Sequence, residues 1–274
     1  MIIEYKDMEK VEQTISDWLK GKFLKERILF GDMATLMLES FKPLEGHSES
    51  TSNYKLALLA LSSRMFNDCE GAKQLLLWGL PDQSQPLIRD IIECIQLLRL
   101  FLKKPRYAER WLINLNEYQP SDVNAQLKKL HIEAREYAFY GSLSHGVHSN
   151  LLGSLSPLQE REAGDHGMLR IAHFGTARTP EAEFSIQENF IIMFFLMHVA
   201  LVGPLAKFYY SHIDSETYDT WAKKMENLTP RLVDITSEMI KQEEDSSNSV
   251  DPILQDLVFK KMRFESLQKR LEKE

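Results

Sequence analysis

The sequence predicts an all-α protein: an antiparallel helical bundle built round a long helical hairpin at about 54–103, with an irregular excursion at 150–180. Three observations carry that expectation. Apolar residues recur at three- and four-residue spacing through most of the chain. A leucine- and alanine-rich stretch without proline, 54–79, is followed at once by Gly79-Leu80-Pro81 and a second helical stretch. Strands and helices do not alternate in the way an open α/β sheet requires.

Residues 4–42 read as one or two helices, with Val11, Ile15, Trp18, Leu19 and Phe23 close to an amphipathic stripe. Pro43 and the polar run GHSESTSN break the pattern, and Ser52 or Asn53 is placed to cap the next helix. That helix, 54–79, should make about seven turns. Glycine at its end suits a left-handed cap, and proline cannot continue its hydrogen-bond ladder. The following helix, about 82–103, is then forced antiparallel to it by so short a connection. With the turn centred near Pro81, Cys69 and Cys94 should face each other across the seam. Gly71 and Ala72 should lie opposite Ile91 and Ile92.

Pro105 breaks the second helix, 106–118 looks like a short helix, and Gln119-Pro120-Ser121-Asp122 caps another over 122 to about 145. Residues 150–180 have no helical period and four glycines, so an ordered excursion or a mobile flap is expected, and MLRIAHF is short and apolar enough to make a β-hairpin possible. Helices resume at 182–213 and 216–242. The polar linker EEDSSNSVDP, near 243–252, leads to a charged amphipathic helix at 252–274. The expected division is an N-terminal segment 1–43, a core bundle 54–213 and C-terminal helices 214–274.

Composition excludes more than it assigns. At 274 residues, 43% hydrophobic and 27% charged, the chain has no collagen-like, disordered or disulfide-framework signature. A net charge of -7 argues against a broad footprint on duplex DNA. The two cysteines lie in apolar helical stretches and read as reduced core thiols. The N-terminus, MIIEYKDMEKVEQ, has early acids and no apolar core, so no secretory signal is expected and the protein reads as cytoplasmic. Phe190 to Ala206 is apolar except for His198, but it is at the lower limit of a span and lacks a flanking basic cluster; a core helix is expected, not a membrane helix. Walker, Gly-x-Gly-x-x-Gly, Gly-x-Ser-x-Gly, His-Glu-x-x-His and Cys-x-x-Cys motifs are all missing from the chain. No cofactor is called for.

Two polar clusters interrupt otherwise apolar helices. Asp82, Gln85, Arg89, Glu93 and Gln96 form one narrow stripe, with Asp90 and Arg99 off it on opposite sides. Arg89 and Glu93 are spaced to pair. The stripe has two readings, a solvated face or a semi-buried groove, and the wide apolar arc around it favours packing on several sides. The second cluster is Tyr140, Ser144, His145 and His148, with Tyr140, Ser144 and His148 on one helix face. His145 and His148 have metal-ligand spacing without a third ligand nearby, so no metal is expected. Joined in one cavity, the two clusters would use Arg89, Glu93 and Ser144 to hold an anionic ligand. His145, His148 and Tyr140 would serve as acid–base groups near neutral pH.

The stretch 56–111, a leucine-rich helix, a Gly-Leu turn and then QPLIRDIIECIQLLRLFLKKPRYAERWL, resembles a widespread group of uncharacterised bacterial helical domains. YGSLSHGVHSN matches that group's Tyr-x-x-x-Ser-x-x-x-His helix end at Tyr140, Ser144 and His148. The similarity covers about 54–200. The group in turn is loosely similar to HEPN helical bundles, which implies an RNA-cleaving or phage-defence role. HEPN ribonucleases carry Arg, four to six residues, then His near a helix end. Here Arg161 and His166 (REAGDH) have that spacing but lie in a glycine-containing loop, and the match is read as chance. Three functions follow. The first is a non-catalytic interaction module, as a homo-oligomer or with a partner protein in a stress or phage-defence system. The second is a metal-independent HEPN-like ribonuclease, RNA approaching over Lys128, Lys129 and Arg135. The third is a sensor of a small anion.

Overall fold

Some helices start or stop where a side chain or glycine satisfies the free backbone groups at their ends, as at Ser52, Gly79 and Asp214. The computed structural model describes residues 5–44, 52–113, 120–132, 139–140, 143, 158–162, 168–172 and 180–244. Its helices are α1 (Tyr5–Lys22), α2 (Leu24–Phe41), α3 (Asn53–Leu77), α4 (Pro81–Lys103), α5 (Pro105–Ile113), α6 (Pro120–Lys129), α7 (Pro180–Ala200), α8 (Ala206–Tyr210), α9 (Ser215–Glu226) and α10 (Leu228–Glu244). The fold is all-α. Strands β1 (Leu158–Glu162) and β2 (Met168–Ala172) form an antiparallel hairpin with Leu158 opposite Ala172 and Glu162 opposite Met168. The hairpin that MLRIAHF left possible is present, and Arg161 lies on β1. His166 lies outside the described residues.

The α3–α4 hairpin forms as its sequence dictates. The Ser52 hydroxyl accepts from the Lys55 amide at 3.3 Å, capping α3. At the other end Gly79 takes φ 76°, its N–H donates to Leu76 and that of Leu80 reaches back to Leu75. That is the Schellman arrangement, and Pro81 then opens α4 at a position whose N–H would go unused. Gly79→Ala forces a β-carbon into left-handed backbone and should cost about 1–2 kcal/mol, read as a lower denaturant midpoint with unchanged slope. Gly79→Asn, which tolerates that conformation, should lose less.

Gly71 lies against Leu87, not the expected Ile91 and Ile92. A β-carbon at Gly71 would stand 2.9 Å from the Leu87 Cδ1, so the contact falls one turn nearer the loop. Counting equal distances from Pro81 ignores the angle at which two helices cross.

Three other boundaries differ from the sequence reading. The helix expected over 122–145 ends at Lys129, because His131 turns left-handed at φ 56° while Ile132 donates to Leu127 and His131 to Lys128. The run 182–213 is interrupted by a π-turn over Leu201–Leu205, where Pro204 has no N–H to give. Finally, 216–242 divides at Asn227 into α9 and α10, since Pro230 offers no N–H to Glu226. The expected helix at 252–274 lies outside the described residues.

One apolar core, from Leu19 to Met239, draws on the N-terminal, central and C-terminal segments alike. Its centre is α7, apolar all round, with Phe190, Met193, Phe194, Leu196 and Met197 fully buried. Around it pack α2, α3, α4 and α10. The run Glu183–Tyr210 is long and apolar enough to cross a membrane, but 78% of its most apolar window is buried against the rest of the fold. Within it His198 is buried, and burial depresses its pKa to about 4; Nε2 lies 3.3 Å from the Thr229 hydroxyl.

Candidate functional site

Helices α3 and α4 pack antiparallel, and that pairing brings two short charged sequences together on one side. RMFND on α3 presents Arg64 and Asp68 one turn apart. RDIIE on α4 presents Arg89, Asp90 and Glu93. Across the seam the Arg64 Nη2 donates to the Asp90 Oδ2 at 2.7 Å, while its Nε lies 3.7 Å from the Asp68 Oδ2. On α4 the Arg89 Nε stands 3.7 Å from the Glu93 Oε1, and its Nη2 3.6 Å from the Asp90 Oδ1. The Tyr140 hydroxyl donates to the same Glu93 oxygen at 3.1 Å, and the Arg89 guanidinium carbon lies 5.8 Å from the Tyr140 ring centre. Arg89, Glu93 and Tyr140 are therefore in one place, as the joined-cluster expectation requires. Ser144, His145 and His148 lie outside the described residues.

The stripe on α4 is not a solvated face. Asp82 and Gln85 are half-buried, Arg89 and Glu93 have side chains only 19% and 21% exposed, and Gln96 is fully buried. It runs from the surface into the core. Among the described residues the Gln96 Oε1 and Nε2, the Asp68 Oδ2 and the Arg89 Nε are buried without a hydrogen-bond partner. Separations of 3.7 Å give Asp68 and Arg89 Coulomb attraction but no hydrogen bond.

Burial sets the protonation of the acids. It pushes the Asp68 carboxyl up to about 6, with Asp90 and Glu93 adding to the rise and Arg64 opposing it. Glu93 is also raised, mainly by burial and then by Asp90, against the Tyr140 hydrogen bond and Arg89. Two carboxyls thus sit half out of water, one of them titrating close to neutrality. Such groups are placed for proton transfer or for contact with a charged partner, and they cost the fold stability.

Sequence reasoning missed Arg64 and Asp68 and set Asp90 aside. The one signal for them was the four-residue spacing of an Arg and an Asp on an otherwise apolar helix. The thiols of Cys69 and Cys94 are buried nearby, and burial raises both pKa values, so neither is a thiolate near neutral pH. No group of three His, Cys, Asp or Glu side chains among the described residues is placed to hold a metal ion. Lys128 and Lys129 are exposed on the last turn of α6, and Arg135 lies outside the described residues. Compared with protein-family models, with curated proteins and with solved structures, the chain matches none.

Proposed function

We propose that the chain is a non-catalytic helical binding module that takes a partner protein on the α3–α4 face, through Arg64, Asp68, Arg89 and Glu93. The observation that supports this reading is the half-buried pair of raised carboxyls beside Arg64 and Arg89, with the Asp68 Oδ2 and the Arg89 Nε lacking a hydrogen-bond partner among the described residues. A partner segment carrying both signs of charge pairs with the exposed parts of these side chains, an ammonium or guanidinium with Asp68 and a carboxylate with Arg89. The bacterial resemblance of 54–200 extends the proposal to a component of a stress or phage-defence system.

The test compares wild type with Arg89→Ala and Asp68→Asn in quantitative cross-linking and mass spectrometry from native cells. Melting curves confirm that both variants fold. The same partner should be enriched by wild type and lost from both variants. Equal recovery by all three removes the α3–α4 face from the interaction.

A second reading, the HEPN-like ribonuclease, is favoured by one observation, the Asp68 carboxyl poised near neutral pH beside Arg64. It calls for RNA cleavage in the presence of EDTA by wild type and not by His148→Ala. Absence of cleavage by wild type, where a known ribonuclease acts, rules it out. The small-anion sensor rests on Arg89 alone and has no separate observation in its favour.

A further inference from the structure

We propose that the exposed face of α2 is the seam of an antiparallel homodimer, α2 packing on α2 of a second copy about a two-fold axis at Gly31. The proposal is independent of the α3–α4 reading and shares none of its residues. Helix α2 buries Leu29, Phe30, Met33, Leu36 and Met37 in the core of its own chain. It leaves Leu24, Ile28 and Leu38 about half exposed, at 52%, 52% and 48%. With Gly31 and Thr35 these follow one another at intervals of four, three, four and three residues, the alternation by which one helix meets another along a seam. Among the described residues no helix covers this stripe, and its three large side chains stand about half exposed.

The stripe is complementary to itself, as a two-fold interface requires. Run antiparallel, Leu24 meets the partner's Leu38, Ile28 meets the partner's Thr35, and Gly31 meets the partner's Gly31. The remaining contacts repeat these in reverse. Among the described residues a β-carbon at Gly31 would touch nothing within 4 Å, so their packing makes no use of its small size. At a two-fold axis that size lets the two backbones approach closely.

Charge selects the antiparallel direction. The exposed or half-buried polar residues flanking the stripe are basic in the first half of α2, Lys25 and Arg27, and acidic in the second, Asp32 and Glu39. A parallel pair sets basic half on basic half, whereas the antiparallel pair sets Lys25 beside the partner's Glu39 twice. Lys25, Asp32 and Glu39 also reach Glu238, Arg231 and Lys224 in their own chain. Those pairs are at least partly exposed, so they hold α9 and α10 against α2 without locking the charges away from a second copy.

An 18-residue helix gives a seam about 27 Å long. Beside it, between α2 and α10, runs a groove of about 420 Å³ lined by Ile28, Ile235, Lys25, Arg231, Asp234 and Glu238. Side chains of the second copy that overhang the seam enter this groove, widening the contact toward the size of a specific interface.

Sedimentation equilibrium of the full chain over a concentration series should show the mass rising from 31.8 kDa toward twice that value. The double variant Leu24→Lys with Ile28→Lys should stay monomeric and melt as wild type does at concentrations where wild type is itself monomeric, since both side chains are half exposed. Direction is read by disulfide capture, both native cysteines being buried. Gly31→Cys should couple to itself, and Leu24→Cys should couple to Leu38→Cys in a mixture but not to itself. A monomer at every concentration overturns the proposal, as does a dimer indifferent to the two lysines. Self-coupling of Leu24→Cys overturns the antiparallel arrangement.

Discussion

Replacing His198 with glutamine should make the protein gain about 3 kcal/mol over wild type as the pH falls from 7 to 4. His198 is neutral in the folded core, with its pKa depressed to about 4 by burial alone, whereas an unfolded chain protonates it near 6.5. Between those values the unfolded state holds a proton that the folded state refuses, so acid favours unfolding by about 1.4 kcal/mol for each pH unit. Glutamine keeps a partner for the Thr229 hydroxyl and does not titrate. The gain is read from denaturant melts of both proteins at several pH values; parallel stability curves would mean that water reaches His198.

Asp68 works in the opposite direction over nearly the same range. Its carboxyl, raised to about 6, takes a proton in the folded state before the unfolded chain does, so acidification from 6 toward 3.8 strengthens the fold. The effect is smaller than that of His198, because solvent reaches part of the carboxyl. Wild-type stability is therefore flatter with pH than either group alone would make it. Asp68→Asn should be more stable than wild type at pH 7 and lose that advantage at pH 4, the mirror image of His198→Gln.

The hairpin at the centre of the fold was legible because its signals are local. A serine cap, a left-handed glycine and a proline at the first helical position each act within one turn of themselves. The polar stripe on α4 was legible for the same reason, since residues three and four apart share a face whatever lies opposite. Its burial was not, and neither was its partner pair on α3. Arg64 and Asp68 flank the apolar face of their helix, and whether such positions meet Asp90 depends on the crossing and register of two helices, which one-dimensional spacing does not carry.

The break at His131 shows the other limit. Left-handed turns are usually marked by glycine or asparagine, and here the chain reads Lys128-Lys129-Leu130-His131-Ile132, with neither. The hydrogen bonds from His131 and Ile132 back to Lys128 and Leu127 hold a conformation that the residue itself disfavours. The break detaches Tyr140 from the helix that begins at Pro120. Tyr140 nevertheless reaches Glu93, although not from the unbroken helix expected over 122–145.

Replacing Gln96 with methionine should stabilise the protein by roughly 2–4 kcal/mol, an unusual direction for a change in a core. Gln96 is 1% exposed, and among the described residues neither polar atom of its carboxamide has a hydrogen-bond partner. Each buried, unanswered polar atom costs about 1–3 kcal/mol, and methionine fills nearly the same volume without that demand. Thermal and denaturant unfolding measure the gain. A core glutamine kept at such a cost lies three residues beyond Glu93 on the same face of α4, at the inner end of the stripe that begins with Asp82. If the face binds a partner as proposed, Gln96→Met should melt higher and bind more weakly than wild type. A variant that melts lower would show that an ordered water or other group already satisfies the carboxamide. The site would then end at Glu93.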